Sequence, residues 1–197
     1  LIFILAIIIP VTILIAVVQY YTFNEAFYMK AFDKYNIEEV TGISEENLLL
    51  ITKKLTGYLD GSQDDLIIRA NVKGVEEQIF EDRELKHMVD VKVIFNQIEK
   101  LKKFIVLLLL IMLVGLKWKK KDENIGTGFM GASGLYTLFL VVLSFMIFTD
   151  FSKYFTQFHE VFFTNDLWLL DPRTDSLIQM LPLEFFIDVA VRIVATT

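Results

Sequence analysis

The first 22 residues, LIFILAIIIPVTILIAVVQYYT, contain no charged side chain. A helix needs about 20 mainly apolar residues to cross the hydrocarbon core of a bilayer. Within that core every backbone N–H and C=O must find a partner in the chain, which leaves only helices and closed barrels. A run of this kind therefore constrains whatever is attached to it. Pro10 is tolerated in a membrane helix more readily than in a soluble one. A cleaved signal peptide is the rival reading. The run is long for one, and no small-x-small site appears before Gln19-Tyr20-Tyr21. We read a retained helix. The chain starts on Leu1 rather than Met, and we expect a few native residues to precede it.

Three more apolar runs follow. Residues 104–116 are short, but a helix over 97–118 reaches span length if Lys102 and Lys103 snorkel outward. Residues 126–148 form the third run. Its small residues Gly126, Gly128, Gly131, Ala132, Ser133 and Gly134 suit close helix contact. The fourth, 177–196, is the least apolar and carries Asp188 and Arg192, four apart and expected to pair with each other. Composition agrees: 54% of the 197 residues are hydrophobic, and mean hydropathy is +0.51. The expected fold class is a membrane protein, mainly α, with four transmembrane helices and a small extracellular mixed α/β cap.

Orientation follows from KWKKKDEN at 117–124, which holds four lysines in five residues. By the positive-inside rule this short loop is cytoplasmic. Both termini are then cytoplasmic, and the two long polar segments face outward. Both are acidic, in a chain whose formal net charge is −6. The expected division is helix one over 1–22, cap over 23–96 and helix two over 97–118. A cytoplasmic loop over 119–125, helix three over 126–148, an outward loop over 149–176 and helix four over 177–197 complete it. The location is a plasma membrane, crossed several times.

Within the cap, Ser44 followed by Glu45-Glu46 reads as a helix start. That helix runs to about Tyr58, where Asp60-Gly61-Ser62 breaks it. Residues 66–80 read as two short strands turning at Lys73-Gly74. From Arg83 the pattern is helical again and leads directly into the second span.

Several chemistries are excluded. There are no cysteines, hence no disulfides, no thiolate nucleophile, no thioester intermediate and no Cys-based metal centre. There is no phosphate-cradling glycine loop. GASG at 131–134 lies inside a span, no GxSxG exists, and His159-Glu160 does not begin an HExxH. We expect no cofactor, no metal and no nucleic-acid partner.

What remains is polar chemistry on the outward side. Both histidines of the chain, His87 and His159, fall there. His87 stands three residues before Asp90 on one helix face. It reads either as a solvated residue paired with that carboxylate or as a catalytic base. His159 stands among Phe158, Phe162, Phe163 and Trp168, with Glu160, Asn165, Asp171 and Arg173 nearby. It reads either as an interfacial residue in an aromatic belt or as a site residue. Two histidines with Asp90, Glu160 or Asp171 lack the ligand spacing of a metal site. Asp171-Pro172-Arg173 is a turn first, and Arg173 a holder of a carboxylate or carbonyl oxygen second.

The order of elements, with RELKHMVDVK at 83–92 and FHEVFFTNDLWLLDPRTDSLIQMLPLEFF at 158–186, resembles the bacterial lipoprotein intramolecular transacylase family. The resemblance covers essentially the whole chain. It implies an O-to-N acyl shift on a diacylated lipoprotein. The sn-2 acyl chain of the diacylglyceryl group moves to the α-amino group of the N-terminal cysteine, giving the lyso form. By motif, His87 and His159 match the family's two catalytic histidines. Arg83, Asp90, Glu160, Asn165, Trp168, Asp171 and Arg173 are the expected supporting and substrate-binding residues.

The chemistry is consistent with the sequence. An amide is more stable than an ester, so the shift needs no nucleotide. Amine and ester belong to one molecule, so no covalent enzyme intermediate is required. Histidine is the natural base near neutral pH. We assign the amine proton provisionally to His87, and the oxyanion or the leaving glyceryl oxygen to His159, with Asp90 or Glu160 orienting an imidazole. Two other classes compete: a non-catalytic membrane adaptor with an extracellular binding cap, and a lipid hydrolase using the same histidines with water. Besides the substrate, the expected partner is membrane lipid; the sequence sets no oligomeric state.

Overall fold

The computed structural model describes residues 2–118 and 125–197. The lysine-rich loop at 119–124 lies outside the described residues, and with it most of the orientation signal. Eight helices and one hairpin are described: α1 Ile2–Thr22, α2 Glu25–Lys34, α3 Ile37–Thr41, α4 Glu45–Asp60, β1 Arg69–Val72, β2 Val75–Gln78, α5 Asp82–Trp118, α6 Ile125–Phe162, α7 Ser176–Met180 and α8 Leu183–Thr196. The fold is mainly α, membrane-associated, with a small cap that includes a β-hairpin.

The cap folds on local signals. Asn24 caps α2 by accepting the Phe27 N–H at 3.1 Å. Ser44 precedes α4 in an extended conformation, and Gly61 ends that helix at φ 85°. The hairpin is antiparallel and pairs Val72 with Val75. It turns at Lys73 (φ 52°) and Gly74 (φ 92°), the two positive φ values that a type I′ turn requires. Gly42 ends α3 at a φ of 73°, a conformation that favours glycine. The core beneath these elements joins Phe27, Phe32, Leu48, Ile51, Ile68, Phe80 and Met88 to Leu177, Met180 and Phe185 from the C-terminal segment.

α5 runs unbroken for 37 residues, about 55 Å at 1.5 Å per residue. It therefore belongs to the cap at one end and packs beside α1 at the other. α1 packs against both α5 and α6. On the α1–α5 seam, Lys102 bridges Glu99 at 2.6 Å and donates to Gln19 Oε1 at 2.8 Å. Among the described residues, 133–162 is the one helical stretch long and apolar enough to cross a membrane alone. α1 with α2, bent by 61°, forms a second candidate together.

Four expectations meet a different structure. The outward loop expected from 149 begins instead as helix: α6 continues to Phe162 and is broken only at Asp150 (φ −158°, ψ 74°). The break carries its own cap, because Asp150 Oδ1 accepts the Lys153 N–H at 3.1 Å. Apolar residues at 151, 155, 158 and 162 maintain a helical period past the polar positions that suggested a loop. The fourth apolar run is split at Leu181-Pro182 into α7 and α8, since proline cannot donate into a continuing helix. Asp188 and Arg192 do not form the expected pair. Asp188 accepts from Lys34 at 2.6 Å and Tyr35 at 2.9 Å, while the Arg192 guanidinium lies over the Phe27 ring. Partners from α2 reach Asp188, which helix spacing alone cannot foresee. Gly131 and Gly134 also differ from expectation, for a Cβ at either would meet nothing within 4 Å.

Candidate active site

α5 delivers His87 one and a half turns inside its N-terminus, and the outer part of α6 delivers His159. The two imidazoles lie 6.1 Å apart between ring centroids, tilted by 35°. His87 is 7% exposed and His159 9%, so neither is a solvated surface histidine. Phe163 touches both rings, at 5.1 Å from His87 and 5.5 Å from His159. Trp168 lies over His159 at 5.0 Å and 30°, and Phe155 meets its edge at 4.4 Å.

Hydrogen bonding distinguishes the two histidines. His159 Nδ1 sits 2.7 Å from the Phe155 carbonyl oxygen. A carbonyl only accepts, so Nδ1 carries the proton and the Nε2 lone pair is free. His87 Nδ1 is buried and has no partner, an unusual state for a buried polar atom. Burial lowers both imidazoles below the ordinary histidine value. His87 falls to about 4, through burial first and the neighbouring His159 second, with Asp90 opposing. His159 is lowered by burial, with the Phe155 carbonyl opposing. Both rings are neutral at pH 7.

The expected supporting residues divide. Asp90 and Asn165 come together, with Asn165 Nδ2 donating to Asp90 Oδ2 at 2.8 Å. Arg83 donates to the Asp166 carbonyl. Both contacts fasten the segment 163–177 onto α5, and Trp168 sits on that segment. Asp171 and Arg173 pair with each other at 2.6 Å, the Arg173 side chain 86% exposed; that pairing pulls the Asp171 carboxyl down to about 2. Glu160 is exposed. The group found orienting an imidazole is the Phe155 carbonyl rather than a carboxylate. Among the described residues, no group of three or more His, Cys, Asp or Glu could hold a metal ion.

One residue escaped sequence reasoning. Glu84 is 1% exposed and accepts two backbone N–H groups, from Glu81 at 2.7 Å and from Leu177 at 2.6 Å. Its signal was present: it is the third residue of α5, where an acid reaches back to the N-cap N–H, and it stands three residues before His87. What could not be read is that its other oxygen reaches α7.

Two buried neutral imidazoles against an apolar wall suit proton transfer in a water-poor site. Residues 3–186 match the family described as lipoprotein intramolecular transacylase Lit. The chain belongs to this family. It is an acyltransferase that works within one lipoprotein molecule. No curated protein matches it. Among solved structures, the membrane-integral lipoprotein intramolecular transacylase Lit from Bacillus cereus is similar with a TM-score of 0.77 at 24% identity, covering 98% of this chain and 86% of that one. Two variants of that protein, in which a histidine is replaced by arginine or by alanine, are similar at 25% identity with TM-scores of 0.73. They cover 97% of this chain and 81% or 82% of theirs.

Proposed function

We propose that the chain moves the sn-2 acyl group of a diacylglyceryl lipoprotein onto the α-amino group of its N-terminal cysteine, with His159 and His87 as the catalytic pair. The observation that carries this reading is the meeting of the chain's two histidines as buried, neutral rings 6.1 Å apart.

The amine nitrogen attacks the ester carbonyl carbon, the C–N bond forms, and the C–O bond to the glyceryl oxygen breaks. His159 is the better base, which reverses the provisional assignment made from sequence. Its Nδ1–H is held by the Phe155 carbonyl, so Nε2 faces the reaction as an acceptor, and that carbonyl stabilises the imidazolium once formed. His159 takes the amine proton and returns it to the departing glyceryl oxygen. His87, held neutral at pH 7, donates an N–H to the carbonyl oxygen as negative charge develops there. A neutral imidazole is a suitable electrophile for that purpose. Holding amine and ester together can contribute on the order of 7–11 kcal/mol at best.

The setting is a plasma membrane with the site at its outer face and the termini inside. Four spans fit this reading: α1, the inner part of α5 over 97–118, α6 over 126–148 and the C-terminal segment over 177–197. The cap is then 23–96, and the wall falls in the outward segment 149–176. Phe158, Val161, Phe162 and Leu169 are exposed beside the histidines, where lipid and the substrate's acyl chains would cover them. The partners are diacylated lipoprotein and membrane lipid.

The test is mass spectrometry of a diacylated lipopeptide after incubation with purified protein in lipid. Intramolecular transfer leaves the mass unchanged and makes one acyl chain resistant to mild alkali. Loss of one acyl mass with free fatty acid marks a hydrolase. An unchanged, alkali-labile peptide beside a folded protein marks an adaptor.

A further inference from the structure

Glu84 is the most deeply buried ionisable side chain in the described residues, at 1% exposed. A buried carboxylate costs free energy unless hydrogen bonds compensate it. Here both oxygens are used: one accepts from Glu81 within the start of α5, the other from Leu177 in the first turn of α7. Burial nevertheless leaves its carboxyl above the usual carboxylate range, with Asp175 and Glu81 adding to the rise and the two N–H groups opposing it. An apolar side chain of similar volume would leave the Glu81 and Leu177 N–H groups without an acceptor, so the acid is first a structural clamp between α5 and α7.

Its place in the site gives that clamp a consequence beyond stability. Three contacts fasten 163–177 to α5: Arg83 to the Asp166 carbonyl, Asn165 to Asp90, and Leu177 to Glu84. Arg83 and Asn165 are exposed to water, where such contacts are weak and easily exchanged. Only the Glu84 contact is sealed from solvent. It stands one helical turn from His87, and the segment it anchors carries Phe163 and Trp168, the rings packed on the histidine pair.

We infer that Glu84 is a positioning residue for the acyl transfer: by accepting the Glu81 and Leu177 N–H groups together, it locks the Phe163–Trp168 wall against the helix that carries His87. The role rests on the transacylase reading above. Its consequence is chemical, because a wall held closed excludes the water that would divert the acyl group to hydrolysis.

Glu84→Gln is the first test. The amide keeps the shape but offers one acceptor oxygen, and its NH2 then faces a backbone N–H. We expect kcat to fall roughly 10- to 100-fold, the scale of a small misplacement in a site, with KM nearly unchanged and free fatty acid appearing beside the N-acyl product. Trp118 is the other tryptophan. In a Trp118→Phe background the Trp168 emission should move to longer wavelength as the wall opens. Glu84→Asp is the second variant. It keeps the charge but is one methylene too short to reach Leu177, and the same shift towards hydrolysis is expected even if Glu84→Gln fails to fold. Unchanged kcat in either folded variant overturns the role. So does a loss of kcat that only tracks the amount of folded protein, with product partition and Trp168 emission unmoved. A wild-type protein that forms no N-acyl product sinks the transfer reading and the role with it; an active wild type beside an unaffected Glu84→Gln sinks the role alone.

Discussion

The outer and inner parts of α5 and α6 are built from the same two helices by different rules. In the outer part, Glu84, His87, Met88, His159 and Phe163 are all buried, and polar contacts tie the helices to 163–177. In the inner part of α6, Leu135, Leu138, Val141, Phe145 and Phe148 are each more than half exposed. A soluble protein would not leave such a face open. Acyl chains satisfy it without specific contacts, and so the inner part needs only to be apolar. The outer part must fix two rings to each other, which takes directional bonds and a packed wall. Geometry is specified where chemistry happens and left loose where lipid is the partner.

The largest blow to this contrast is expected at the histidines. His159→Ala and His87→Ala should each lower transfer by roughly 10²- to 10⁴-fold, the usual worth of acid–base groups, while thermal unfolding in detergent shows a folded protein. Wild-type turnover by either variant breaks the assignment of chemistry to the outer part.

The pH dependence comes next. Both imidazoles are lowered by burial, His87 to about 4. The base works in its neutral form, so the acid limb that belongs to the imidazole should lie below pH 6.5, apart from the limb of the attacking α-amine at about 8. The same shift acts on stability. Between 6.5 and about 4 the unfolded chain binds protons that folded His87 refuses, so the fold should lose stability as pH falls through that window. An imidazole whose own NMR titration is centred at or above 6.5 would place an ordinary, exposed histidine in charge.

Smaller effects sharpen the comparison within the outer part. Asn165→Ala removes one exposed tie of the wall to Asp90, and a several-fold drop in kcat is expected, with Glu84 still holding the wall. Arg173→Ala should cost at most about twofold, since its guanidinium pairs with Asp171 and is largely in water. A large loss at Arg173 would show that the turn closes over substrate. The smallest effect belongs to the inner part. Leu138→Ala, on the exposed face of α6, should leave transfer intact and change stability within about 0.5 kcal/mol.

Much of this was legible in the chain. The hairpin turn at Lys73-Gly74, the start of α4 after Ser44 and the unbroken helix from Arg83 into the apolar run 104–116 are local matters. Each depends on φ preference, capping or a hydrophobic period within a few neighbours. The two histidines could be named as candidates because they are the only ones, and because both segments resemble the transacylase family. The bond that sets the His159 tautomer lies within α6, four residues back at Phe155, but the burial of both rings could not be read, since it depends on Phe163, Trp168 and the meeting of α5 with α6. The helical continuation past Asp150 was missed because polar residues at 149 and 150 look like an ending, although the chain caps a new helix there. The pairing of Asp188 with Lys34 and Tyr35, and the second bond of Glu84, join residues more than ninety positions apart.

The sequence by itself determined the hairpin turn, the capped start of α4, the apolar runs and which side chains can move a proton, because these follow from local propensity and chemical type. Only the tertiary structure decided that His87 and His159 meet, that both are neutral, and that one buried carboxylate holds the wall over them. Distance, desolvation and hydrogen-bond partners are properties of the assembled space between elements, and no single segment carries them.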